Sequence, residues 1–219
     1  MTTILESGKT MRDEEILALV KAARLSFADL LDSLDERDWS ADSLCAGWTV
    51  RDVAAHLTLS TRTTFGMIFK GALRARGDFD RMEFRLAKDR AVAYTPAELI
   101  AQMRETAGSA HRTLGSAPLD PLVDALAHAQ DIARPLGRTH EMAVDGAVPA
   151  IEQVVTRRFY GAHKRLGGTR LVATDTDWSH GEGEELRGPI ADLMLVATGR
   201  RAGLAALEGP GVGLVAGRL

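Results

Sequence analysis

A single cysteine, Cys45, in a chain of 219 residues excludes an internal disulfide and fits a reducing cytoplasm. With no Cys-x-x-Cys pair, any bound metal must be held mainly by nitrogen and oxygen ligands. No run of about 18 apolar residues occurs, so no segment is expected to span a membrane. Excess charge of either sign is also missing: 27 Lys and Arg face 30 Asp and Glu, a net charge of −3, which leaves no electrostatic footprint for nucleic acid. Residues 1–10 lack the basic start and apolar stretch of a signal peptide, and a cytoplasmic protein is expected. β-Branched residues are spread thinly and aromatics make up only 5%, whereas alanine, leucine and arginine abound, a balance that favours helix.

Helical periodicity dominates the chain. Ile16, Leu17, Val20, Ala23, Phe27, Leu30 and Leu31 form one apolar stripe, predicting a helix from about Asp13 to Leu34. Thr49 with Asp52 three residues on reads as a capping box, and Val50, Val53, Ala54, Leu57 and Met67 supply the inner face of the helix it starts. Further helices are expected over about Arg81 to Val92, over Thr95 to Leu114 behind a Thr-Pro-Ala-Glu start, and over Leu119 to Arg134 before Pro135 and Gly137. Apart from the shorter stretch over Arg81 to Val92, four long helices with short connections imply a mainly α fold, an antiparallel four-helix bundle. Another helix, about Asp145 to Lys164, is expected to pack on it. After Gly167-Gly168 the pattern changes to a short strand over Leu171 to Thr174, a hairpin-like loop over Asp175 to Gly183 and an apolar helix from Pro189 to about Gly199. The organisation expected is therefore a helical bundle over 10–165 and a small C-terminal α/β segment over 166–219, too short to fold alone.

Asp124 and His128 lie four residues apart in an unbroken apolar helix, so both side chains leave the same face and can share one ion. His56, flanked by Ala55 and Leu57, is the third candidate ligand from another helix. Two imidazoles and one carboxylate suit a divalent metal, zinc above all, and three protein ligands leave one position open, as catalytic sites do. The plainer alternatives are a solvated i,i+4 pair and a satisfied core histidine.

The segment Cys45-Ala-Gly-Trp-Thr-Val-Arg-Asp-Val-Ala-Ala-His56-Leu57 resembles the signature that opens the second helix of mycothiol-dependent maleylpyruvate isomerase-like proteins, within the wider DinB-like group of metal-binding four-helix bundles. Asp124-Ala-Leu-Ala-His128-Ala-Gln-Asp131-Ile-Ala-Arg134-Pro-Leu-Gly137 resembles the second signature, and Leu171 to Pro189 resembles a C-terminal segment common among them. The resemblance implies a DinB-like bundle whose metal triad falls on His56, Asp124 and His128, with Asp124 standing where some members have glutamate. It implies mycothiol as the thiol cofactor, held at the open metal position, and a small electrophile as substrate. The activity implied is thiol-dependent isomerisation or S-transfer; the alternatives are a non-catalytic metal-binding regulatory or interaction module and a zinc-water hydrolase.

Asp131, three residues past His128, can orient that ring as a hydrogen-bond acceptor, or serve in a salt bridge or a helix–helix hydrogen bond. Asp52 reads as a cap, Trp48 as a packing residue at the helix start, and Cys45 as a small buried hydrophobe. Arg81, Arg85 and Arg134 are the guanidinium candidates for a carboxylate-bearing substrate, set against plain surface charge. Asp177, Trp178 and His180 are read either as overhanging the site or as hairpin structure, and His111, His140, His163 and His180 as surface residues.

Overall fold

The computed structural model describes residues 2–4, 10–113 and 115–219. Residues 1, 5–9 and 114 lie outside it, and with them part of the expected N-terminal segment and Leu114, the expected end of the helix that starts at Thr95. The chain divides into two compact units: Leu17–His140, and a second made of Met1–Ile16 and Glu141–Leu219. The helix expected beyond residue 144 is thus grouped with the tail.

A short β-pair, β1 (Thr2–Ile4) and β2 (Thr10–Arg12), precedes α1 (Asp13–Asp32), which carries three acids in its first turn where the helix dipole favours them. The unit 17–140 then contains α2 (Val50–Leu59), α3 (Phe65–Ala75), α4 (Phe79–Ala93), α5 (Pro96–Thr106) and α6 (Asp120–Ala133). Its core joins Phe27 and Leu31 of α1, Val50, Val53 and Ala54 of α2, Leu99 and Met103 of α5, and Ile132 of α6. Caps are where the sequence places them. Thr49 and Asp52 form a reciprocal capping box on α2, and Thr95 and Glu98 form one on α5, with Pro96 in its first turn.

Two helices are shorter than their periodicity suggests. The helix started at Thr49 stops at Leu59, so Met67 belongs to α3 and not to the inner face of α2. Hydroxyl groups explain the break: Thr58 and Ser60 donate to the Ala55 and Leu57 carbonyls, and Thr64 caps α3 by accepting from the Met67 N–H. Helix α5 stops at Thr106, where the buried Arg24 guanidinium donates to the Ala107 and Ser109 carbonyls and takes over their hydrogen bonding.

The second unit contains α7 (Val144–Thr156), α8 (Ala162–Arg165), β3 (Thr169–Ala173), β4 (Ser179–His180), β5 (Glu184–Gly188), α9 (Ile190–Ala197) and α10 (Gly211–Ala216). The expected single helix over Asp145 to Lys164 is therefore divided, with Gly161 at φ +69° between its parts. The sheet order is β4-β3-β5, antiparallel on one side and parallel on the other, with Leu171 opposite both His180 and Leu186. Strand β5 is not announced by the sequence pattern. Gly183 makes the return to it possible: its φ is +121° and an added Cβ would lie 2.1 Å from the Gly168 carbonyl oxygen. No helix among the described residues is long and apolar enough to cross a membrane.

Candidate metal centre

The candidate site lies within the unit 17–140 and begins with a turn. Cys45 O accepts from Trp48 N–H across Gly47, whose φ of +77° needs glycine at the third turn position. Leu44 N–H donates to the Asp131 carbonyl on α6, which ties this turn to the helix carrying Asp124 and His128. The same tie brings the Cys45 thiol to the Asp131 carboxylate. Cys45 Sγ lies 3.1 Å from Asp131 Oδ2 and 3.7 Å from His128 Nδ1.

Asp131 is fully buried and its Oδ2 also accepts from His128 Nδ1–H at 2.8 Å. That contact fixes the ring and its tautomer and leaves Nε2 as the nitrogen able to bind an ion. Burial disfavours a charged His128 ring, but the hydrogen bonds and charges of Asp131 and Cys45 outweigh it and raise the pKa to about 10. His56 on α2 faces His128 edge-on, with ring centroids 5.1 Å apart. Trp48 lies against both rings, 5.0 Å from His56 and 6.4 Å from His128.

Asp124 shares with His56 a small cavity of about 50 Å³, lined also by Glu83, Thr63 and Thr113. The buried Arg24 feels the Asp124 charge: burial lowers the guanidinium pKa and Asp124 opposes that shift. Among the described residues, the compact group of metal-binding atoms is Cys45, His128 and Asp131, all within 4.8 Å of one another. Sulfur, nitrogen and oxygen donors of this kind could hold a divalent ion.

His56 and His128 are thus adjacent, Asp124 joins His56 at one cavity, and Asp131 stands behind His128. Cys45 departs from its expected part as a small hydrophobe, because its thiol meets buried polar atoms. Trp48 does more than start a helix, and Asp52 does more than cap one: its Oδ2 also accepts from Lys88 Nζ at 2.6 Å. The three guanidinium candidates have different surroundings. Arg81 is exposed, Arg85 donates to the Arg74 carbonyl beside a separate cavity, and Arg134 Nε donates to Gln130 Oε1. In the second unit, Trp178 Nε1–H donates to Glu152 and the ring stacks parallel to that of His180. His111 and His163 are exposed, while His140 and His180 are half-buried.

Sequence reasoning missed Glu83 and Arg24. Helix spacing could have placed Glu83 beside Met82 and Leu86 on an inner face, but no motif marks it.

The donor set suits a divalent ion on chemical grounds: two imidazoles, one already oriented through Nδ1, and carboxylates in a partly closed cavity. The family model of the mycothiol maleylpyruvate isomerase N-terminal domain matches residues 20–147, which contain every one of these side chains. Two solved structures share the fold: the crystal structure of the mycothiol-dependent maleylpyruvate isomerase, with a TM-score of 0.61, and that of its histidine-to-alanine mutant, with a TM-score of 0.60. In each comparison the identity is 13%, covering 91% of this chain and 93% of the other. No curated protein matches the sequence. With more than half of its length matched by the family model, the chain belongs to the mycothiol maleylpyruvate isomerase N-terminal domain family.

Proposed function

We propose that the protein is a mycothiol-dependent metalloenzyme, an isomerase or S-transferase acting on a small electrophile, with zinc held by His56, Asp124 and His128. The observation that carries this reading is the Asp131–His128 hydrogen bond behind a ring set 5.1 Å from His56. A buried carboxylate that holds Nδ1–H is the usual companion of an imidazole ligand bound through Nε2. A bound divalent ion would supply the stabilisation that keeps a thiol as thiolate at neutral pH.

The protein's own groups do the rest. His56 and His128 present ring nitrogens, and Asp124 brings negative charge to the cavity it shares with His56. Trp48 packs against both rings and lowers the local dielectric around them, which strengthens the charge interactions there. Asp131 keeps His128 from rotating. Carboxylate-bearing substrates would draw on Arg81, Arg85 or Arg134 only after Arg85 and Arg134 leave their present partners.

The test is metal content and thiol response. Purified protein should carry about one divalent ion per chain, lost in His56→Ala and His128→Ala while helicity is retained. Mycothiol should then alter the visible absorption of the cobalt-substituted protein. Metal-free protein of normal stability would sink the proposal.

A second reading has its own observation: the donor atoms of Cys45, His128 and Asp131 already lie within 4.8 Å of one another. An ion there would make a non-catalytic binding module. It predicts thiolate-to-cobalt charge-transfer absorption without added thiol, lost in Cys45→Ser.

A further inference from the structure

The cavity of about 50 Å³ lined by His56 and Asp124 is lined on the α4 side by Met82, Glu83 and Leu86. Glu83 lies on a helix rich in cations, yet it is paired with none of them. Its helical neighbours at three and four residues are Phe79, Asp80, Leu86 and Ala87, so Arg81, Arg85 and Lys88 all project from other parts of α4. Lys88 is committed to Asp52 and Arg85 to the Arg74 carbonyl. Among the described residues, the Glu83 carboxylate makes no hydrogen bond and no ion pair.

The surroundings penalise a bare negative charge. Glu83 is half-buried and lines the same small cavity as the Asp124 carboxylate, so two like charges meet there away from bulk water. Two carboxylates at one small cavity, one of them without any bonded partner, form an arrangement that a cation would resolve.

On the metal reading of this same site, we propose that Glu83 is a further ligand of the bound divalent ion, adding a second carboxylate to His56, Asp124 and His128. Two carboxylates then balance the two positive charges of the ion within the cavity. Glu83 reaches it by rotating about its own side-chain bonds, with no existing contact to break. Four protein ligands make the resting site closed, in the manner of structural zinc sites. Glu83 is also the most exchangeable of the four, because it lacks a supporting hydrogen bond of the kind that Asp131 gives His128. An incoming thiol would therefore compete with Glu83 for its place.

The test uses the full chain and reads zinc affinity by competition with a chromophoric chelator, together with the visible absorption of the cobalt(II) form. Glu83→Gln should weaken zinc by about tenfold or more, the scale expected for losing a group that supports or makes the coordination, and should change the cobalt spectrum. N-acetylcysteine, used as the thiol probe, should perturb the cobalt spectrum of Glu83→Gln at lower concentration than that of the unmodified protein. Should Glu83→Gln fail to fold, judged by circular dichroism, Glu83→Asp decides on the same readouts, since it keeps the charge and shortens the arm. Unchanged zinc affinity and cobalt spectrum in the folded variant, while His56→Ala loses the ion, would overturn the role of Glu83 alone. An unmodified protein that binds no ion overturns both this proposal and the metal reading beneath it.

Discussion

Replacing Asp131 with asparagine exchanges a charged acceptor for a neutral amide at a fully buried position and leaves the volume almost unchanged. In the native protein one atom, Oδ2, accepts from both His128 Nδ1 at 2.8 Å and Cys45 Sγ at 3.1 Å. Hydrogen bonds to charged groups contribute about 1.5–3 kcal/mol and neutral ones about 0.5–1.5 kcal/mol, so the exchange removes roughly 1–2 kcal/mol from the hold on His128. If that hold presents Nε2 to the ion, Asp131→Asn should weaken zinc about tenfold to a hundredfold without abolishing binding. Competition with a chromophoric chelator measures the change, and urea unfolding of the metal-free protein shows whether the fold is intact. A folded Asp131→Asn variant whose zinc affinity stays within about twofold of the parent would refute the idea that this bond presents the ligand. His128→Ala, by contrast, should lose the ion outright.

Cys45→Ala should weaken metal binding less than Asp131→Asn, and Cys45→Ser should restore it, because a hydroxyl can donate where the thiol does; chelator competition ranks the three. Asp52→Asn should destabilise the protein at neutral pH by about 1–3 kcal/mol, through loss of the charged acceptor for Lys88 and the Thr49 cap. Burial raises the Asp52 pKa, but Lys88 and Thr49 hold it below the usual carboxylate range. Its stabilisation is therefore full above that range and is lost as pH falls through the depressed folded value, so parent and variant should converge in urea midpoint at acid pH. Gly183→Ala should destabilise by about 2 kcal/mol or more in thermal unfolding, since the backbone is strained for any other residue and the Gly168 carbonyl blocks the methyl group.

The fold was legible wherever local chemistry acts alone. Thr49 with Asp52, and Thr95 with Pro96 and Glu98, announce helix starts that the structure reproduces. The stripe from Ile16 to Leu31 likewise gives α1. Helix ends were harder, because hydroxyls at Thr58 and Ser60 and the reach of Arg24 into a distant carbonyl cluster decide them. Strand β5 escaped notice because its partner is set by a parallel pairing with β3, which no local pattern encodes. At the site, helical spacing marked Asp124, His128 and Asp131, and the apolar setting marked His56. Glu83 and the polar part of Cys45 depend on contacts between helices and a turn, so a linear pattern could not reveal them.

Trp48 turns the histidine pair into an optical reporter. Of the three tryptophans, Trp39 is packed into the apolar core and Trp178 is bonded to Glu152, which leaves Trp48 as the indole resting on both His56 and His128. On the proposed metal reading, its emission should change with the charge and occupancy of those rings. If an ion and a thiol bind as proposed, intrinsic fluorescence excited in the indole band should follow both in the unlabelled protein, in real time and with a colourless metal.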